Sequence, residues 1–309
     1  MSEPYNKVIY KLAKENKSVF FTEENWYILR HIKMIGKKMS MKFGFVHDPG
    51  FMSAMYKPLM RNHKLSRTNA DIKIAVNLWY SNRYEAEEKY GHISDWDVYS
   101  VTDMCNLFYN LESFNDDISR WDVSNVTNME SMFNSAQSFN QPIGDWNVSK
   151  VTDMSNMFSS AESFNRAIGK WNVSNVINMS GMFMEAKRFD ANISQWNVSN
   201  VTDMSHMFNE ACDFNQPIGN WNVFNVSDMG FMFDHASDFN QPIGNWNVSN
   251  VTNMCGMFDH ASSFNQYIGN LDVSKVIDMR GMFWCASRFK KKLIGNWKVS
   301  DGCDISRMF

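Results

Sequence analysis

Residues 118–140 read I-S-R-W-D-V-S-N-V-T-N-M-E-S-M-F-N-S-A-Q-S-F-N, and the chain repeats this pattern at fixed spacing. Trp96, Trp121, Trp146, Trp171, Trp196, Trp221 and Trp246 each follow the last by 25 residues. Leu271 takes the next slot, and Trp297 comes after one extra residue near Lys290-Lys291-Lys292-Leu293. The shared pattern is I-x-x-W-[ND]-V-S-x-V-T-[ND]-M-x-x-M-F-x-x-A-x-x-F-[ND]. Its fixed columns hold sixteen of the 24 Met, seventeen of the 24 Phe and eight of the 11 Trp, so the repeat accounts for the unusual composition. A fixed period of this size marks a stacked array rather than a single-core domain.

Within one copy the apolar spacing changes. Trp121 and Val123 flank Asp122 in the alternation of a strand. Val126, Met129, Met132, Phe133, Ala136 and Phe139 then follow at helical intervals, with Ser124 or Thr127 placed to cap a helix start. This predicts a short strand, a polar turn and two to three helical turns per copy. A propeller blade would need four strands, for which there is no room. One copy cannot bury so many apolar positions, but stacked copies can, Trp over Trp and Phe over Phe. Met at these intervals reads as core filler, not as a copper site.

The string F-N-Q-P-I-G-N-W-N-V-S-N-V-T-N-M at 239–254, followed by M-F, resembles the BspA-like leucine-rich repeats of bacterial and mycoplasma surface proteins and of related protist, algal and large-DNA-virus arrays. The segments Ala75-Val76-Asn77-Leu78-Trp79 and Tyr90-Gly91-His92-Ile93-Ser94-Asp95-Trp96 resemble the lead-in of such arrays. The resemblance implies a curved solenoid with surface, adhesion or protein-interaction roles, and it supplies no catalytic residue. The expected fold is an α/β, leucine-rich-repeat-type β/α solenoid with a parallel sheet over 91–309, preceded by a helical, basic N-terminal region over 1–90.

That N-terminal region does not repeat. It carries a net charge of +7, against −10 for the remainder and −3 for the whole chain of 309 residues. Helices are expected at 5–14, 22–35, 70–80 and 83–89, with a turn at Asp48-Pro49-Gly50. Ile72, Val76 and Trp79 should share a buried face. Residues 30–67 hold nine Lys or Arg against one acid, which suits a cap for the first copy's open edge, with docking of a partner as a second role and nucleic-acid binding a weaker alternative. No apolar run is long enough to cross a membrane, and no apolar leader follows the polar start. The five Cys at 105, 212, 255, 285 and 303 contain no CxxC and suggest reduced thiols, hence a cytoplasmic or virion-associated setting.

No nucleophile–base constellation and no Gly-rich phosphate loop is visible, so no enzyme and no cofactor are expected. The exposed position after each Trp holds Asp97, Asp122, Asn147, Asn172, Asn197, Asn222, Asn247 and Asp272, which read as an amide ladder or as a polar binding face. Phe224, Phe231 and Trp284 break the consensus and read as exposed contact anchors. Asp234-His235 and Asp259-His260 lie one period apart, and they are a weak metal candidate beside the simpler reading of a polar ladder. The sequence therefore predicts a non-enzymatic protein-interaction or structural scaffold with a protein partner. The alternatives are a cell-surface or carbohydrate-binding adhesin and a structural component of a virus particle or other large assembly. Residues Lys290, Lys291, Lys292, Lys298, Asp301, Asp304 and Arg307 surround the ninth copy, which is expected either to cap itself or to self-associate.

Overall fold

The computed structural model describes residues 65–309, which belong to one compact unit running from Asn62 to Phe309. The helices expected at 5–14 and 22–35, the turn at Asp48 and nearly all of the basic stretch lie outside the described residues.

The lead-in is built as its apolar spacing dictates. A short strand β1 (Ser66–Thr68) is followed by helix α1 (Ile72–Ser81) and helix α2 (Arg83–Tyr90). Ile72, Ala75, Val76 and Trp79 are the buried face of α1. Asn82 ends α1 and caps α2, its side chain accepting from the Glu85 amide at 3.3 Å. Strand β1 pairs in parallel with β2 (Asp97–Ser100), which opens the first 25-residue coil.

Nine coils then follow, numbered from Trp96. Asp103, Asn128, Asp153, Asn178, Asp203, Asp228, Asn253, Asp278 and Asp304 form one unbroken column of parallel bridges, one residue per coil. The pairing column is thus the second [ND] position of the repeat, seven residues beyond the Trp slot and outside the Trp-x-Val stretch where a strand is expected. That stretch is unpaired in coils two to nine, with β2 as the one strand on it among the described residues.

A second correction concerns the Met-Phe stretch. It is buried as expected, with Val126, Met129, Met132, Phe133, Ala136 and Phe139 all fully buried, but it is not helical. Instead, tight turns follow one another, closed by Met132 N–H to Met129 C=O (3.2 Å), Ala136 to Phe133 (3.0 Å) and Phe139 to Ala136 (2.9 Å). Two residues in each of coils one to eight sit in the left-handed region, such as Ser131 (φ 52°) and Ser135 (φ 60°), and they interrupt any helix. Their effect is to turn alternate amides along the stack. Met129, Ser131, Phe133 and Ser135 donate to Asp153, Ser155, Met157 and Ser159 of the next coil at 2.7–3.0 Å. The backbone groups that a helix would satisfy internally are satisfied between coils.

The core is continuous through the stack. Trp96 to Trp246 are 3–4% exposed, and Trp171 lies parallel to Trp196 with ring centres 6.4 Å apart. The indole N–H reaches a carbonyl of the preceding coil, as in Trp171 to Ile143 and Trp196 to Ile168, both 3.1 Å. Trp146 is the exception, since its buried N–H finds no acceptor among the described residues. Two Phe columns stack alongside, with Phe133 and Phe139 at 3.9 Å within a coil and Phe133 to Phe158 at 5.5 Å between coils.

The lead-in covers the first coil, while the ninth leaves Phe309 39% exposed. At the first coil Asn69 stands in for a preceding coil, accepting from the Thr102 amide at 2.9 Å and donating to the Thr102 hydroxyl at 2.8 Å. Trp79 donates to Asp116 at 2.9 Å, and Arg83 pairs with the same carboxylate at 2.6 Å. Arg67 covers the Trp column, its guanidinium 4.5 Å from the Tyr90 ring centre and 5.5 Å from Trp96, paired with Asp71 at 3.0 Å. Burial lowers the Arg67 pKa, and Asp71 pulls it back up. At the ninth coil Phe309 stacks on Phe283 at 5.6 Å beneath Lys291, and Arg280 links Asp278 (2.6 Å) to Asp304 (3.8 Å).

Two outcomes follow from this packing. Trp196→Ala, in mid-stack, should lose about 3–5 kcal/mol in a denaturant titration. Trp297→Ala should lose less, because Trp297 is only half-buried. Gly256 has φ +57°, and a Cβ there would run into the Phe231 ring. Ser131, Asn156 and His206 hold the same column with side chains, so the Phe231 ring is the obstacle. Gly256→Ala should therefore cost about 1–2 kcal/mol more with Phe231 in place than in a Phe231→Ser background, where only the strain of a left-handed alanine remains, the two being compared by thermal melts.

Candidate functional site

The column after each Trp is exposed, but the structure gives it a local task. Each side chain accepts from the amide two residues on: Asp97 from Tyr99 (3.1 Å), Asp122 from Ser124 (3.0 Å) and Asn147 from Ser149 (3.2 Å). Asn172, Asn197, Asn222, Asn247 and Asp272 do the same at 3.1–3.2 Å. These are Asx turns, which explains why Asp and Asn interchange freely there. The bond to Ser274 holds the Asp272 carboxyl below the usual carboxylate range.

Amide ladders do exist, on other columns. Asn125, Asn175, Asn200, Asn225 and Asn250 each donate to a carbonyl of the preceding coil at 2.7–2.9 Å. A second ladder runs through Asn115, Asn140, Asn165, Asp190, Asn215 and Asn240, whose side-chain oxygens accept from the backbone of the next coil at 2.9–3.1 Å. In sequence these residues look like any polar turn.

Between the Asx column and the bridge column lies a hydroxyl column. Thr127, Thr152 and Thr252 donate side-chain hydrogen bonds of 3.2 Å to the preceding coil, and Thr202 and Ser227 do so at 3.3 and 3.1 Å. Ile177 and Ile277 replace the hydroxyl and stand 50% and 62% exposed. Three residues before Ser227, Phe224 takes the place of the usual Ser and is 45% exposed, and Tyr99 holds the same column in coil one. Ile177, Phe224 and Ile277 fall on coils four, six and eight, at intervals of roughly 10 Å if coils are spaced like paired strands. Of the three expected aromatic anchors, Phe224 and Trp284 are exposed. Phe231 is half-buried instead, lying flat on His206 with ring centres 5.0 Å apart.

On another part of the surface the two Asp-His pairs come together. His235 and His260 stack with ring centres 4.2 Å apart, and their Nδ1 atoms lie 2.5 Å and 2.7 Å from Asp234 and Asp259. Burial raises the Asp234 pKa, and His235 draws it back down. The cysteines are unpaired: Cys105, Cys212, Cys255 and Cys303 are half-buried and Cys285 is exposed. Burial pushes the Cys105, Cys255 and Cys303 thiols up. Among the described residues no helix is long and apolar enough to cross a membrane.

No curated protein matches the chain. A family described as "Mycoplasma protein of unknown function, DUF285" matches three times in overlapping tandem, over residues 80–183, 161–254 and 216–309. These matches cover the coils and the end of the lead-in, and the chain belongs to this tandem-repeat family of unknown function.

Proposed function

We propose that residues 91–309 form a BspA-like solenoid of the leucine-rich-repeat class that works as a non-enzymatic scaffold for a protein partner. The observation that carries this reading is the substitution of Ile177 and Ile277 into the hydroxyl column. Each forgoes a hydrogen bond that its column makes elsewhere, and each leaves an aliphatic side chain in water. Such residues work against the stack's own stability, and Phe224 lies exposed in the column three residues away. Apolar anchors set in a polar surround are the usual anatomy of a protein interface. A protein partner suits these separated aliphatic and aromatic anchors better than a carbohydrate would.

The test returns each residue to its column's consensus. Ile177→Thr/Phe224→Ser/Ile277→Thr should fold normally, with a melting temperature equal to or above that of the parent, because two hydroxyls regain partners. Proteins captured from the source cell by the parent and by the triple variant are then compared by mass spectrometry. Loss of a specific set of partners from the variant supports the proposal, and an unchanged set overturns it. Adhesion to glycans that survives the triple change would favour the adhesin reading instead.

A further inference from the structure

The two Asp-His pairs lie on neighbouring coils, six and seven. The position of His235 and His260 holds Asn110, Ser135, Ser160, Glu185 and Glu210 in earlier coils, all in the same left-handed conformation. A histidine is therefore not required there by the backbone. Its main chain is tied in the ordinary way, with the His235 amide on Asp259 C=O at 2.7 Å and the His260 amide on Trp284 C=O at 2.8 Å.

What is particular is the arrangement of donors. Potential ligand atoms of Asp234, His235 and His260 lie within 4.8 Å of one another. Each imidazole has its Nδ1 held by the carboxylate that precedes it, which leaves Nε2 as the free lone pair. Carboxylate–imidazole pairing of this kind is the usual support of a metal-bound histidine, because it fixes the tautomer and raises the ring's basicity. Asn209 holds the other Asp234 oxygen at 3.0 Å, so that carboxylate is fixed from both sides. The rings are 47% and 43% exposed, free to tilt from their 4.2 Å stack toward a shared ion. Asp234 is much less exposed than the rings, at 16%, and so is a rigid support for His235.

We propose that His235 and His260 bind one divalent transition-metal ion of the zinc, nickel or copper class through Nε2, and that Asp234 and Asp259 orient them. Imidazole nitrogen favours these ions over calcium or magnesium, which take oxygen ligands. Two protein donors leave coordination positions for water or for a group on a partner. The ion ties two neighbouring coils together, so it stabilises the folded chain by mass action.

The test uses the full chain and the metal salts alone. Isothermal titration with zinc or nickel chloride should give one site per chain, with a rise in melting temperature that calcium and magnesium do not produce. His235→Asn and His260→Asn should each abolish that site. Both should keep the metal-free melting temperature, since Asn110 already occupies the column. Asp259→Asn should weaken binding about 10- to 100-fold, as loss of a supporting carboxylate does. A readout on the unaltered protein comes from nickel or cobalt titration followed by imidazole proton resonances, in which those of His235 and His260 should broaden first. Absence of saturable binding, unchanged binding in the His235→Asn/His260→Asn double variant, or first broadening at another histidine would each overturn the assignment.

Discussion

The structure depends on one arrangement of backbone hydrogen bonds. Four alternate amides in the Met-Phe stretch of each of coils one to seven point at carbonyls of the next coil, and the left-handed residues are what make them point that way. In coil four Met179, Gly181, Phe183 and Glu185 donate to Asp203, Ser205, Met207 and Asn209 at 2.7–3.0 Å. A helix would have used the same groups internally and left the coils with far fewer main-chain bonds between them, such as Thr127 N–H to Thr102 C=O at 2.8 Å. Here the main chain itself joins them, so each coil is completed by its neighbour and has little reason to persist without one.

The side chains follow from that frame. Because the coils are held at a uniform spacing, each column places one residue over its equivalent, and the flat rings of Trp and Phe suit stacking at 5–6 Å. The indole N–H would be stranded in such a core, and the preceding coil's Ile carbonyl takes it up in most coils. Leu271 fills the eighth slot at 5% exposure without an N–H to satisfy. At coil one, where the stack begins, Asn69, Arg67 and Trp79 supply by side chain what a coil supplies by main chain.

The inward columns are legible in the sequence, because burial alone fixes them: Trp121, Val126, Met129, Phe133 and Phe139 point inward in any compact structure of this period. The two lead-in helices are legible for the same reason. Helices within the coils are expected and absent, since consecutive three-residue turns and a helix produce the same apolar spacing. A signal lies in the column shared by Ser131, Asn156, Gly181, Gly256 and Gly281. Repeated Gly and Asn in mid-stripe mark a left-handed position rather than a helix interior. The Asx turns at Asp122 and Asn147 and the ladder through Asn140 cannot be told apart by residue type. Phe231 is legible as an exception but not in its direction, because its packing depends on His206 and on the absence of a side chain at Gly256.

Against so regular a background, exceptions to a column carry the functional information. Ile177 and Ile277 break a hydroxyl column outward, and His235 and His260 bring paired donors to one place on an otherwise structural column. Both readings assume the inter-coil main-chain bonds, and these can be observed directly. In deuterated protein, scalar couplings across hydrogen bonds should connect the Phe183 amide nitrogen to the Met207 carbonyl carbon, and Phe208 to Met232 in the same way. Coupling from Phe183 to the Met179 carbonyl, four residues back, would mean that the stretch is helical and would contradict the account.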